Sequence, residues 1–129
     1  DSLEESTSSF YAELKRLKGL LELADQPDET PIFYLLDEIL KGTNSADRHK
    51  GAEALIRQLH HKNASGFVST HDLELGEWAT KIPYTHNFHF RSDVQEGKLQ
   101  FDYTLHEGIC KSFNASELMR MMGIEIEID

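Results

Sequence analysis

The chain predicts an α/β fold, with a central sheet flanked by helices and an antiparallel hairpin added late in the sequence. Three observations carry this expectation. Residues 31–36, Pro-Ile-Phe-Tyr-Leu-Leu, form an unbroken apolar run of strand length, the pattern of a strand buried on both faces in a helix-covered parallel sheet. Segments of helical periodicity lie on either side of it. Two alternating apolar–polar segments come later, as in a hairpin.

Each element has its own signal. Phe10, Leu14, Leu17, Leu21 and Ala24 recur at helical spacing with Glu13, Lys15, Arg16 and Lys18 between them, so a surface helix is expected to begin near Ser6-Thr7-Ser8-Ser9, whose hydroxyls suit capping. A polar break at residues 25–30 precedes the apolar strand. A second helix is expected from about Ser45 to about His61, with Ala52, Leu55, Ile56 and Leu59 on one face and Asn63-Ala64-Ser65-Gly66 as its end. Phe67-Val68-Ser69-Thr70 reads as a short strand, and residues 73–79 as a short helix. Phe88 and Phe90, then Leu99, Phe101, Tyr103 and Leu105, mark the hairpin, with its turn at Gln95-Glu96-Gly97-Lys98. Asn114 with Glu117 resembles a capping box for a last helix carrying Leu118, Met119 and Met122, stopped by Gly123.

Bulk composition narrows the possible functions. The chain has 129 residues, 39% hydrophobic and 28% charged, which suits one globular domain with one core. Its net charge of −10 does not attract phosphate backbones, so a large DNA-binding face is not expected here. Acidity does not exclude ATP, because amides, helix ends and Mg2+ hold nucleotides locally. The single cysteine, Cys110, allows no internal disulfide and fits a cytoplasmic setting. There is no apolar stretch of membrane-span length and no basic-apolar leader. The chain opens on Asp1 rather than Met, as an excised domain or a processed terminus would.

The chemistry concentrates where the apolar run ends. Asp37 and Glu38 stand at the carboxyl end of the expected strand, where α/β proteins bind ligands. One carboxylate there can hold Mg2+ and the next can orient or deprotonate water, which nucleotide hydrolysis requires. This is the Walker B pattern. The bland reading of the same residues is a buried strand that meets solvent at two charges.

Taken together, four segments resemble the ATPase domain of the MutS family, relatives of the ABC-type ATPases. Leu35-Leu36-Asp37-Glu38-Ile39 with Gly42-Thr43 is similar to the family's Asp-Glu-(Ile/Leu/Phe)-x-x-Gly-Thr block. Thr70-His71 resembles its Thr-His switch. Asp1-x-Leu3 with Ser8-Ser9-Phe10-x-x-Glu13 looks like its signature segment. The resemblance runs from Asp1 to about Ile124 and implies a partial P-loop NTPase domain occupying residues 1–129. By that resemblance Asp37 would ligate Mg2+ and Glu38 would polarise the attacking water. His71 would touch the γ-phosphate or hold Glu38 in register. Ser8 and Ser9 would act on the ATP of a second MutS-like subunit in a nucleotide-sandwich dimer, with the helix start offering free amides. Asn44 and Ser45 would line the subunit interface, or simply cap the next helix. DNA would be contacted through other domains of the parent protein.

The sequence also departs from that pattern. No Gly-x-x-x-x-Gly-Lys-(Ser/Thr) occurs in it, so the chain looks like the carboxyl-terminal half of an ATPase domain, lacking the phosphate cradle and expected to be inactive alone. Ser112-Phe113-Asn114 stands where the family often has Ser-Tyr-Gly, and Asp47-Arg48 replaces a common Asp-Gly. A divergent branch of the family is expected. The rival reading is a non-catalytic dimerisation or partner-binding module built on the same fold. Another ABC-type ATPase fits less well, because Ser6-Thr7-Ser8-Ser9 has no glycine. His86 and His89 are three apart on an expected strand and so face opposite sides, poorly placed for one metal ion. His60-His61 suits a helix end, and Cys110 and the three methionines read as packing residues.

Overall fold

Eight elements make up the computed structural model, which describes residues 2–26, 30–110 and 115–127. In order they are α1 (Ser2–Ala24), β1 (Ile32–Asp37), α2 (Ser45–His61), β2 (Ala64–Ser69), α3 (Leu73–Thr80), β3 (Phe88–Gln95), β4 (Lys98–Glu107) and α4 (Ala115–Met121). The fold is α/β, with four helices and two small sheets among the described residues. Contacts divide the chain into two compact units, residues 1–78 and 79–129. Asp1, Pro27 and the adjoining acids, residues 111–114 with the expected Asn114 cap, and the last two residues lie outside the described residues.

In the first unit β1 and β2 pair in parallel from Ile32↔Ala64 to Asp37↔Ser69, joined by α2 as a βαβ unit. The core consists of Ile39, Leu40, Ala52, Leu55, Leu59, Ala64 and Leu75. Phe10, Leu17, Leu20, Leu21 and Ala24 of α1 pack on it at half burial, as do Ile32, Tyr34 and Leu36 of β1. Of the helical spacing seen in the sequence, Phe10, Leu17, Leu21 and Ala24 turn inward, while Leu14 is exposed. Leu59 is fully buried.

Two sequence expectations need correction here. The apolar strand is not covered on both faces: Phe33, Leu35 and Phe67 are 64, 71 and 66% exposed, with the two phenylalanine rings edge to face at 5.7 Å. A continuous apolar run records that both faces are apolar, but among the described residues of the first unit it is the face bearing Tyr34 and Leu36 that packs on the core. The second correction concerns β2, which starts at Ala64 rather than Phe67. Lys62 and Asn63 make the helix-to-strand turn, with Asn63 at φ 58°, a left-handed conformation that Asn tolerates. Gly66 lies inside the strand because a Cβ there would sit 2.0 Å from the Tyr34 carbonyl oxygen.

The second unit is built on the hairpin. β3 and β4 pair antiparallel from Phe88↔Glu107 to Gln95↔Lys98, with an irregularity between Phe90 and Ser92. Glu96 and Gly97 form the two-residue turn at φ 52° and 74°, both positive as a type I′ turn demands. On one face His89 and His106 stack at 5.5 Å, and His106 Nε2 lies 2.7 Å from Asp102 Oδ2. That hydrogen bond, with one from the Thr104 amide, holds the Asp102 carboxyl below its usual value of 3.8. α4 ends as the sequence predicts: Gly123 takes φ 97°, its amide donates to the Arg120 carbonyl at 3.0 Å, and the Ile124 amide to that of Met119 at 3.0 Å, a Schellman closure. No helix among the described residues is long and apolar enough to cross a membrane.

Candidate functional site

The carboxyl ends of β1 and β2 lie side by side, and the residues that follow them meet. Asp37 pairs in register with Ser69, whose hydroxyl donates to Asp37 Oδ1. The Glu38 amide donates to the Ser69 carbonyl at 2.9 Å, carrying the ladder one step past β1. Glu38 then turns into the left-handed region at φ 50°, and Leu40 does the same at φ 61°. Such conformations cost a non-glycine residue about 1–2 kcal/mol each. They send the chain sharply off the strand and aim the Glu38 side chain back across the rim of the sheet.

Glu38 is 17% exposed and held at both oxygens. Arg48 Nη2 donates to its Oε2 at 3.0 Å, and His71 Nε2 lies 3.3 Å from its Oε1. Arg48 sits in the first turn of α2, and its Nε also donates to the Ile39 carbonyl at 3.2 Å. One guanidinium thus ties the acidic loop to the helix that follows it. The His71 side chain is 95% exposed, so solvent screens its attraction for Glu38. Glu38 and His71 therefore meet at the carboxyl rim of the parallel sheet, while Asp37 stands at the end of β1 on the same rim, hydrogen-bonded to Ser69 and lining a separate groove.

The segment of α1 that resembles a signature motif docks on this loop through two contacts. Glu13 Oε2 accepts the Leu40 amide at 2.9 Å. Phe10 fills the space beside Gly42, where a Cβ would lie 2.6 Å from Phe10 Cβ. An open groove of about 540 Å³ runs between α1 and the loop, lined by Ser9, Phe10, Glu13, Glu38, Lys41 and Gly42 among others. Ser9 shares this groove with Glu38; Ser8 is exposed on the same helix.

One expectation for Ser8 is overturned. The helix does not begin at the serine cluster but at Ser2, so Ser8 lies in its second turn and its amide is inside the helical ladder rather than free. The hydroxyls do not cap it: Thr7 Oγ1 donates back to the Leu3 carbonyl at 2.9 Å. Four consecutive hydroxyl residues look like a cap, but the sequence upstream continues the helical pattern through Leu3. Asn44, by contrast, is a true cap, its Oδ1 accepting the Asp47 amide at 2.8 Å.

Sequence reasoning missed three participants. Arg48 was visible only as a departure, where Asp-Arg replaces Asp-Gly. Ser69 carried no signal beyond its strand. Glu13 belonged to a matching motif, but its hydrogen bond to an amide 27 positions away exists only in three dimensions.

The profile of MutS domain V matches residues 1–127. The chain belongs to the MutS domain V family. It is 28% identical over 125 residues to the DNA mismatch repair protein MutS of Natronomonas pharaonis, covering 96% of this chain and 14% of that protein. Similarity to the DNA mismatch repair protein MutS of Thermus thermophilus is 29% over 128 residues, 99% of this chain and 15% of that protein. Endonuclease MutS2 of Thermomicrobium roseum is 30% identical over 127 residues, 98% of this chain and 15% of the relative. The chain thus spans about one-seventh of the length of the curated relatives it matches.

Proposed function

We propose that this MutS domain V chain supplies the hydrolytic half of a Mg-ATP site in a DNA mismatch repair-type ATPase of P-loop architecture. The observation that carries the reading is the contact of Glu38 with His71 beside Asp37 at the carboxyl rim of β1 and β2.

The residues present fit the group. Asp37 is an exposed carboxylate at the strand end, oriented by the Ser69 hydroxyl, and is the oxygen ligand that would hold Mg2+. When bound, Mg2+ neutralises charge on the phosphates of ATP. Glu38 is the acid placed to accept a hydrogen bond from water. Arg48 fixes its Oε2, leaving Oε1 toward His71. His71, exposed and adjacent, reports on what occupies that space by keeping or leaving Glu38. Ser9, facing the same groove, and Ser8 beside it are the hydroxyls offered to the nucleotide of a second MutS-like subunit. Asn44 acts through its cap, which sets the start of α2 and hence Arg48. DNA contact belongs to other parts of a longer protein.

In a protein of the relatives' length, Glu38→Gln is expected to leave ATP binding intact and to slow hydrolysis about 10²–10⁴-fold, the range for a positioned general base. Equal loss of binding and turnover, or unchanged turnover, refutes the assignment. The chain alone has no Gly-x-x-x-x-Gly-Lys-(Ser/Thr) segment, so its own affinity for ATP is expected to be weak. Micromolar binding by calorimetry overturns that point.

The second reading is a binding module on the same fold. It is favoured by the ion pair that already occupies Glu38 and by the uncovered Phe33, Leu35 and Phe67. The Glu38→Gln turnover measurement separates the two.

A further inference from the structure

A second titratable cluster lies where α2 meets the start of α3. His49 is on α2, in its first turns, and Glu53 follows one turn later on the same face. Asp72 precedes α3, and Glu74 stands in its first turn. His49 Nε2 is 2.8 Å from Glu53 Oε2, and His49 Nδ1 is 3.2 Å from Asp72 Oδ2. His49, Asp72 and Glu74 each bring one donor atom to within 4.8 Å of the others.

We infer that His49, Asp72 and Glu74 bind a divalent first-row transition ion such as Zn2+, with Glu53 as the outer partner of the imidazole. A tetrahedral ion with bonds of about 2.0–2.2 Å sets its ligand atoms about 3.3–3.6 Å apart, close to the 3.2 Å between His49 Nδ1 and Asp72 Oδ2. Glu74 is exposed, and rotation of its side chain closes the remaining gap.

Carboxylates face both ring nitrogens of His49, Glu53 at Nε2 and Asp72 at Nδ1. A single divalent ion placed among Nδ1, Asp72 and Glu74 can bind all three donor atoms at once.

The surroundings are those of a metal ligand set. Ligating histidines donate their other N–H to a carboxylate, and ligating carboxylates are themselves hydrogen-bonded. Glu53 fills the first role. For Asp72, Oδ1 accepts the amides of Glu74 and Leu75 at 3.0 and 3.2 Å, which leaves Oδ2 presented to His49. The side chains of His49 and Asp72 are 19 and 22% exposed, so the site is sheltered and still open on the Glu74 side. One imidazole with two carboxylates suits Zn2+ or Mn2+ better than Mg2+, and the lack of a thiolate disfavours Cu(I). The site shares no residue with the Asp37–Glu38–His71 group, so it stands or falls apart from the proposed ATPase role.

The test is titration of the chain with Zn2+ by calorimetry and with Co2+ followed by its visible d–d absorption. One ion per chain is expected, with Glu74→Gln and His49→Gln each weakening binding at least tenfold. Glu53→Gln, which removes only the outer carboxylate, is expected to weaken it about 10–100-fold while keeping the d–d bands. Glu74→Gln changes an exposed side chain and keeps the Asp72 cap, so it remains a folded probe should His49→Gln lose structure. No binding overturns the inference. So does binding that survives in Glu74→Gln and His49→Gln alike, which would place the ion on other histidines.

Discussion

Replacing Glu13 by alanine tests whether α1 holds the acidic loop in its strained shape. Leu40 is 6% exposed and sits at φ 61°. Its amide donates to Glu13 Oε2 at 2.9 Å. A hydrogen bond to a charged acceptor contributes about 1.5–3 kcal/mol, and a buried donor stripped of its partner costs about 1–3 kcal/mol. The adjoining groove admits water, so the expected loss for Glu13→Ala is about 1–2 kcal/mol. Glu13→Gln keeps an acceptor oxygen and is expected to lose less than half of that. With a urea m-value of about 2 kcal/mol/M, Glu13→Ala lowers the unfolding midpoint by about 0.5–1 M. Trp78 is the single tryptophan and packs against the same core, so its fluorescence follows the relevant unit. Hydrogen exchange at the Leu40 amide gives a local readout and should quicken in Glu13→Ala. A midpoint equal to that of the unmodified chain, or a glutamine variant as damaged as the alanine one, refutes the argument.

Three further outcomes are expected. Asn44→Ala removes the cap of α2 and should cost about 1 kcal/mol by chemical denaturation, while Asn44→Asp should recover most of it; equal stability of all three forms would sink the capping role. Gly66→Ala drives a Cβ to 2.0 Å from the Tyr34 carbonyl oxygen, so the β1–β2 register must break, at about 3 kcal/mol or more, and an unshifted thermal midpoint would contradict the strand pairing. Because the folded Asp102 carboxyl titrates below 3.8, its contribution to stability is complete above that value and is lost as pH falls through the lower folded one; His106→Ala should return its carboxyl titration, read by NMR, toward 3.8, and no movement would remove His106 as the main cause.

Much of the local structure was legible in the sequence. The run at residues 32–37, the helix from Ser45 with Asn44 before it, the Glu96-Gly97 turn and the Gly123 stop all appear where local chemistry places them. Each depends on neighbours a few positions away. Errors arose where a local signal had two physical meanings. Serines can cap a helix or ride on it, and the start of α1 at Ser2 decides for the second. Ala64-Ser65-Gly66 can end a helix or open a strand that must pass close to its neighbour, and the Tyr34 carbonyl decides.

The sequence by itself determined the βαβ order, the position of Asp37 and Glu38 at a strand end, and the family, because these follow from short-range pattern and residue identity. Only the tertiary structure decided that Arg48 clamps Glu38, that Glu13 secures Leu40, that His49 stands between Glu53 and Asp72, and that Phe33, Leu35 and Phe67 of the β1–β2 sheet are exposed. Most of those are distances between residues ten or more positions apart along the chain. They are set by how helices settle on a sheet, and periodicity along a sequence carries no record of that.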